Sequence, residues 1–197
     1  MDNNVANVLA ELRQDHKNMG LLLTLLERES NRMYDCDDPD FDLLHDIMHY
    51  MTVYPDAVHH PKEDRIYAEL KAIRPDLTAG FKRITVDHRY IAELSITLRD
   101  DFASIIAGQF VPRKTVVADA LRYVHTLRGH MQWEELDLFR RVERMIADGH
   151  HLIEAATYLQ PCDPVFGPKI EPNFDKLIKR IRGKYQRRLI LRQRGFT

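Results

Sequence analysis

The stretch Tyr54-Pro55-Asp56-Ala57-Val58-His59-His60-Pro61-Lys62-Glu63-Asp64 places two histidines, two prolines and three acids inside a segment of otherwise helical pattern. Around it, Met48, Met51, His59, Glu63, Ile66 and Leu70 recur at helical spacing, so an imidazole and a carboxylate one turn apart share the apolar face. Burying such groups unpartnered costs several kcal/mol each, so the pair must find a partner. The prolines remove backbone donors and predict a kink near His59. On an ideal helix His60 joins His45 and His49 on another face, which reads as surface or as support for the inward groups.

Three further segments repeat the pattern. Leu12, His16, Met19 and Leu23 share one stripe; Phe81, Ile84, His88, Ile91 and Leu98 share a second. Tyr123, Leu127, His130, Glu134 and Leu138 form the third, in which His130 and Glu134 repeat the H-x-x-x-E spacing of His59 and Glu63. The helices are expected from about Asn4 to Ser30, Phe41 to Ile73, near Asp76 to Ile106, and near Pro112 to Asp148-Gly149. Val5, Val8, Leu12, Met19, Leu23 and Leu26 mark the core side of the first. Short connections make neighbours antiparallel, so the fold class is all-α, an up-down-up-down four-helix bundle. At about 1.5 Å of rise per residue, His16, His59, Glu63, His88, His130 and Glu134 fall at one height. A lone stripe histidine is ordinarily a hydrogen-bonded core residue. Four of them with two glutamates at one level are better explained by bound cations, to which neutral imidazoles donate lone pairs and between which carboxylates bridge.

Composition bounds the rest. The chain has 197 residues, 30% charged and 44% apolar, with a net charge of -1. That balance suits a globular protein and argues against one devoted to nucleic acid. Met1-Asp2-Asn3-Asn4 resembles no secretion leader, and no apolar run is long enough to span a bilayer. Cys36 and Cys162 lack ligand spacing and suggest a reducing, cytoplasmic setting. Residues 1–150 are expected to form the bundle and 151–197 a C-terminal helical extension. In the latter, a short helical stretch reaches about Tyr158, an irregular link runs from Leu159 to Pro172, and a last helix carries Phe174, Leu177, Ile178, Ile181, Tyr185 and Leu189 on one face. Nine Lys or Arg and a single acid fall between Asp175 and Thr197. This helix is read as docked with a solvated basic face; the alternatives are a surface for anionic lipid, nucleic acid or an acidic partner, or a homodimer contact.

Several motifs together resemble the hemerythrin-like family, the HHE cation-binding domain, of the four-histidine, two-glutamate type. They are Arg13-Gln14-Asp15-His16, Tyr54-Pro55 with His59 through Asp64, Asp87-His88, and His130-Met131-Gln132-Trp133-Glu134-Glu135. Asp163-Pro164-Val165-Phe166-Gly167 also looks like a segment that follows the domain in bacterial members. The resemblance implies a cofactor of two iron ions joined by an oxo or hydroxo bridge. His16, His59, His88 and His130 would be terminal ligands, and Glu63 and Glu134 would bridge. Two departures stand out. The position one turn after His88, histidine in oxygen carriers, is Ala92, which suggests a more open site. The carriers' last carboxylate spacing would select Glu135, whereas the apolar stripe selects Glu134.

The implied function is binding of iron and a small ligand (O2, NO or peroxide) for sensing, detoxification or storage. An iron donor in repair of iron–sulfur centres, and a di-iron oxidase or peroxidase, are the alternatives, so enzyme status is left open. Ferritin-like sites use E-x-x-H spacing and more glutamates than histidines, the opposite of this chain. The ligand types alone suit zinc, copper and iron alike.

Overall fold

The architecture comes from a computed structural model, which describes residues 3–78, 84–151 and 162–183, with side chains from residue 8 onward. The described residues are helical, with no strand among them. The helices are α1 (Asn3–Tyr34), α2 (Phe41–Val53), α3 (His60–Ile73), α4 (Ile84–Ile106), α5 (Arg113–Trp133), α6 (Phe139–Ala147) and α7 (175–183). α1, α2 with α3, α4, and α5 with α6 form the four antiparallel rods. α1 packs on α5, α2 on α4, and α4 on α5, which closes the up-down-up-down bundle.

Local chemistry explains most boundaries. Asp40 caps α2, its Oδ1 accepting from Leu43 N at 3.0 Å. Glu29, buried on α1, accepts from Asp40 N at 3.2 Å and ties the first turn of α2 to the preceding helix. α6 stops where Gly149 takes a left-handed φ of 88°. α1 runs four residues past the expected Ser30, its last turn made by Asn31–Tyr34.

Two rods are not continuous α-helices. Between α2 and α3, Pro55–His59 form a π-type turn in which the His60 amide donates to the Pro55 carbonyl. Pro55 and Pro61 remove amides on either side, and the backbone re-pairs over a wider ring. A second π turn, Glu134–Leu138, separates α5 from α6, with the Phe139 amide donating to the Glu134 carbonyl. No proline marks it in the sequence. The third rod does not start near Asp76 as expected: Pro75–Leu77 is a 3-10 turn and Thr78 lies outside helix. Phe81, the Val5 side chain, the helical stretch to Tyr158, the start of the link at Leu159, and Tyr185 and Leu189 lie outside the described residues.

The extension is anchored to the bundle. Tyr50 Oη donates to Asp163 Oδ2 at 2.9 Å, while Asp163 Oδ1 accepts from the amides of Val165 and Phe166 at 2.8 and 2.9 Å. Gly167 closes the turn so tightly that a Cβ there would sit 2.3 Å from the Asp163 carbonyl oxygen. Phe174, Leu177, Ile178 and Ile181 are buried against α2 and its neighbours, as the apolar face predicted. Arg180 of α7 meets Asp42 at 2.9 Å and Asp46 at 3.1 Å, so part of the basic face is spent on α2 rather than on solvent.

The apolar interior falls into two clusters. The larger is built from α1, α2, α4, α5 and α7, and includes Leu23, Leu26, Tyr50, Leu98, Phe102, Tyr123 and Leu177. The smaller, at the other end, holds Val8, Leu9, Leu12, Ile66, Leu70, Ile84, Leu138, Phe139 and Met145. Between them lies a layer of buried polar side chains.

Candidate metal centre

That layer contains His16, His59, Glu63, His88, His130 and Glu134, all buried, with both glutamates fully enclosed. Each rod contributes at one height. Glu63 Oε1 lies 3.3 Å from His59 Nε2 and 3.5 Å from His16 Nε2, while its Oε2 lies 3.5 Å from His88 Nε2. Glu134 Oε2 lies 3.4 Å from His16 Nε2; its Oε1 lies 3.2 Å from His130 Nε2 and 3.7 Å from His88 Nε2. Each carboxylate therefore turns one oxygen toward His16 and its neighbours, and the other toward His88 or His130.

The opposite ring nitrogens are held from outside. His59 Nδ1 is 3.0 Å from Asp15 Oδ2, His88 Nδ1 is 3.0 Å from Asp64 Oδ1, and His16 Nδ1 is 3.0 Å from Glu135 Oε1. His130 Nδ1 has Asp87 at 4.0 Å, beside an open cleft of about 520 Å³ lined by both residues, His125, Gly129 and Trp133. A carboxylate on Nδ1 fixes the proton there and aims the Nε2 lone pair inward, the arrangement that orients histidine ligands in metal sites. Asp15 is thus engaged with His59 rather than solvent-facing. Tyr54 Oη also donates to Asp15 Oδ2 at 3.3 Å, and Tyr67 Oη donates to Glu134 Oε1 at 2.6 Å.

The two consecutive glutamates occupy different places. Glu134 enters the layer and meets inner nitrogens, whereas Glu135 is one-third exposed and sits on the outer nitrogen of His16, where Arg13 Nε also donates to it at 3.2 Å. The two glutamates clasp one imidazole from both sides.

For His60 the surface alternative falls. It is 3% exposed and part of the layer, not on the surface. Its ring stacks on His88 with centroids 4.4 Å apart and planes 13° apart. The wider π turn before it and Pro61 after it bring two successive histidines to the interior, which an ideal helical period forbids. His45 and His49 are half-buried and His125 is exposed, in keeping with a place outside the layer; His150 and His151 also lie outside it.

The donor set fits a cation site. Inner Nε2 atoms of His16, His59, His88 and His130, both oxygens of Glu63 and Oε2 of Glu134 are buried without a hydrogen-bond partner. Orphaned groups of this kind are costly unless something else satisfies them. Donor atoms gather into two overlapping groups, one of His16, His59 and Glu63 and one of His60, Glu63, His88 and His130, each within 4.8 Å. Without a cation, protons must balance the two carboxylates. Burial alone would depress His16, but Glu134 and Glu63 outweigh it and raise it to about 10. Burial is likewise overcome at His59 by Glu63 and Asp15, to about 9, and at His88 by Asp64 and the two inner glutamates, to about 11. Burial pushes Glu63 up, yet His59 and His16 hold it well below the usual range.

A four-rod bundle with a buried imidazole–carboxylate layer defines a class of helical metal-binding proteins. The family model described as hemerythrin HHE cation binding domain matches residues 7–142, and the chain belongs to that family. No curated protein and no solved structure matched the chain. Among the described residues, no helix is long and apolar enough to cross a membrane. Both cysteines are free and exposed.

Proposed function

We propose that the protein is a non-haem di-iron protein that binds iron together with a small ligand, O2, NO or peroxide, for sensing, detoxification or storage. The observation that carries this reading is the set of inward donor atoms left without hydrogen bonds at one level of the bundle. His16 and His59 would serve one ion, His88 and His130 the other, with Glu63 and Glu134 shared between them. Iron in this setting would supply redox chemistry and coordination positions for a small exogenous ligand.

The protein's own residues supply the surroundings. Asp15, Asp64 and Glu135 hold the outer ring nitrogens and so fix which nitrogen is free. Tyr67 donates to Glu134 and restrains its rotation. Phe139 stacks on His16 at 5.5 Å and, with the apolar clusters on both sides, limits water at the layer. A small ligand fits such an enclosed layer better than a bulky organic substrate does.

Metal analysis tests the reading directly. Protein purified without chelator, or loaded anaerobically with Fe2+, should hold two iron ions per chain, and its optical spectrum should change on exposure to O2 or NO. Replacing His59 by Ala should reduce iron well below two equivalents. Full iron retention in that variant would remove His59 from the ligand set, and absence of iron uptake by the wild type would end the di-iron reading.

A further inference from the structure

His60 is a buried imidazole with no assigned task. Neither ring nitrogen has a hydrogen-bond partner, although burying even one unsatisfied nitrogen is costly. Its surroundings repeat those of the four inner histidines. Nδ1 faces a carboxylate, Asp56 Oδ1 at 3.4 Å, and Asp56 is itself fixed by the Ser95 hydroxyl. That leaves Nε2 as the free donor. A ring nitrogen of His60 lies within 4.8 Å of donor atoms of Glu63, His88 and His130. The ring is perpendicular to His130, 5.9 Å between centroids; against His88 it is stacked at 13°, so sharing an ion with His88 requires it to turn out of that stack until the two ring planes cross at the ion. A residue kept only to fill space here would be better served by a leucine or phenylalanine, which brings no polar atoms to satisfy.

We propose that His60 is a fifth imidazole donor, binding through Nε2 to the ion that His88 and His130 hold, with Asp56 as its outer carboxylate. The inference rests on the metal-centre reading above and deepens it. The two metal positions are then unequal: three imidazoles on the His88 side, two on the His16 side. With both glutamates shared, the His16 side keeps the larger number of free positions for a small ligand.

The test counts metal-bound imidazoles in the intact protein. The apoprotein is loaded anaerobically with Co2+, and strongly shifted, exchangeable ring N–H resonances are counted by proton NMR, one for each ligating histidine whose Nδ1 carries the proton. Five are expected in the wild type. His60→Phe, which retains a ring against His88, should show four and bind one of its two ions at least 10-fold more weakly. Two bound Co2+ with only four such resonances, all persisting in His60→Phe, would overturn the fifth-donor assignment and leave the metal centre standing. Failure of the wild type to take up Co2+ would overturn both.

Discussion

Metal uptake by this protein should expel protons, and the number follows from the metal-free site. With folded-state values of about 10, 9 and 11, His16, His59 and His88 are all essentially fully protonated at pH 7. Two of those charges balance Glu63 and Glu134. The third is supported by the outer carboxylates, each at 3.0 Å from a ring nitrogen. Cations cannot share the inner nitrogens with protons, so filling the site releases about three protons per chain. By linkage, the logarithm of the overall binding constant then rises by about three for each pH unit near neutrality, which is about 4 kcal/mol per unit. The slope should flatten above pH 9, where His59 loses its proton unaided. Calorimetric titration with Zn2+ at pH 7, in two buffers of different ionisation enthalpy, gives the proton count without assuming the native metal. Replacing His88 by Gln should lower the count by about one. Release of less than one proton, or an affinity flat between pH 6 and 8, would refute the charge balance proposed for the layer.

The same protons make the metal-free fold sensitive to alkali. The three histidine values lie above the unfolded reference of about 6.5, so their stabilisation is complete below that pH and is lost as pH rises toward 9 to 11. The apoprotein's Tm should fall across that window while the metal-loaded protein's changes little; equal Tm profiles would contradict the assignment. Asp15→Asn keeps the shape but weakens the grip on His59 Nδ1, and metal affinity measured by chelator competition should drop about 10- to 100-fold. Gly167→Ala must displace the Asp163 carbonyl, costing about 1–3 kcal/mol. Limited proteolysis should then cut the segment after Cys162 faster, while metal content stays at the wild-type level.

Helical periodicity made the bundle and the six inward side chains legible, because it puts His16, His59, His88 and His130 on stripes otherwise filled by Leu, Ile and Met. What it could not reveal were departures from the ideal period. The π turn at Pro55–His59 had a visible cause in Pro55 and Pro61, yet its effect on His60 depends on how far the wider ring rotates the next residue. The π turn at Glu134–Leu138 has no breaker in the sequence; the apolar stripe already pointed to Glu134, but the reach of Glu135 to the outer nitrogen of His16 needed coordinates. The outer carboxylates were hard for another reason. Asp64 and Asp56 look like ordinary surface acids; the pairing of Asp64 with His88 is set by packing between rods, and that of Asp56 with His60, one turn apart on the same rod, by the π turn between them.

The polar layer lies between two apolar clusters of unequal size, and this gives the molecule a built-in plane of weakness. Cooperative unfolding needs each end of a bundle to feel the other through its interior. Here that communication runs through six or seven ionisable side chains instead of interlocked hydrocarbon. A cation riveting the four rods at that plane fuses the two ends into one cooperative block. Without it, the smaller cluster, which holds Leu12, Ile66 and Phe139, is expected to open at a lower denaturant concentration than the larger one, and metal loading to merge the two transitions into one.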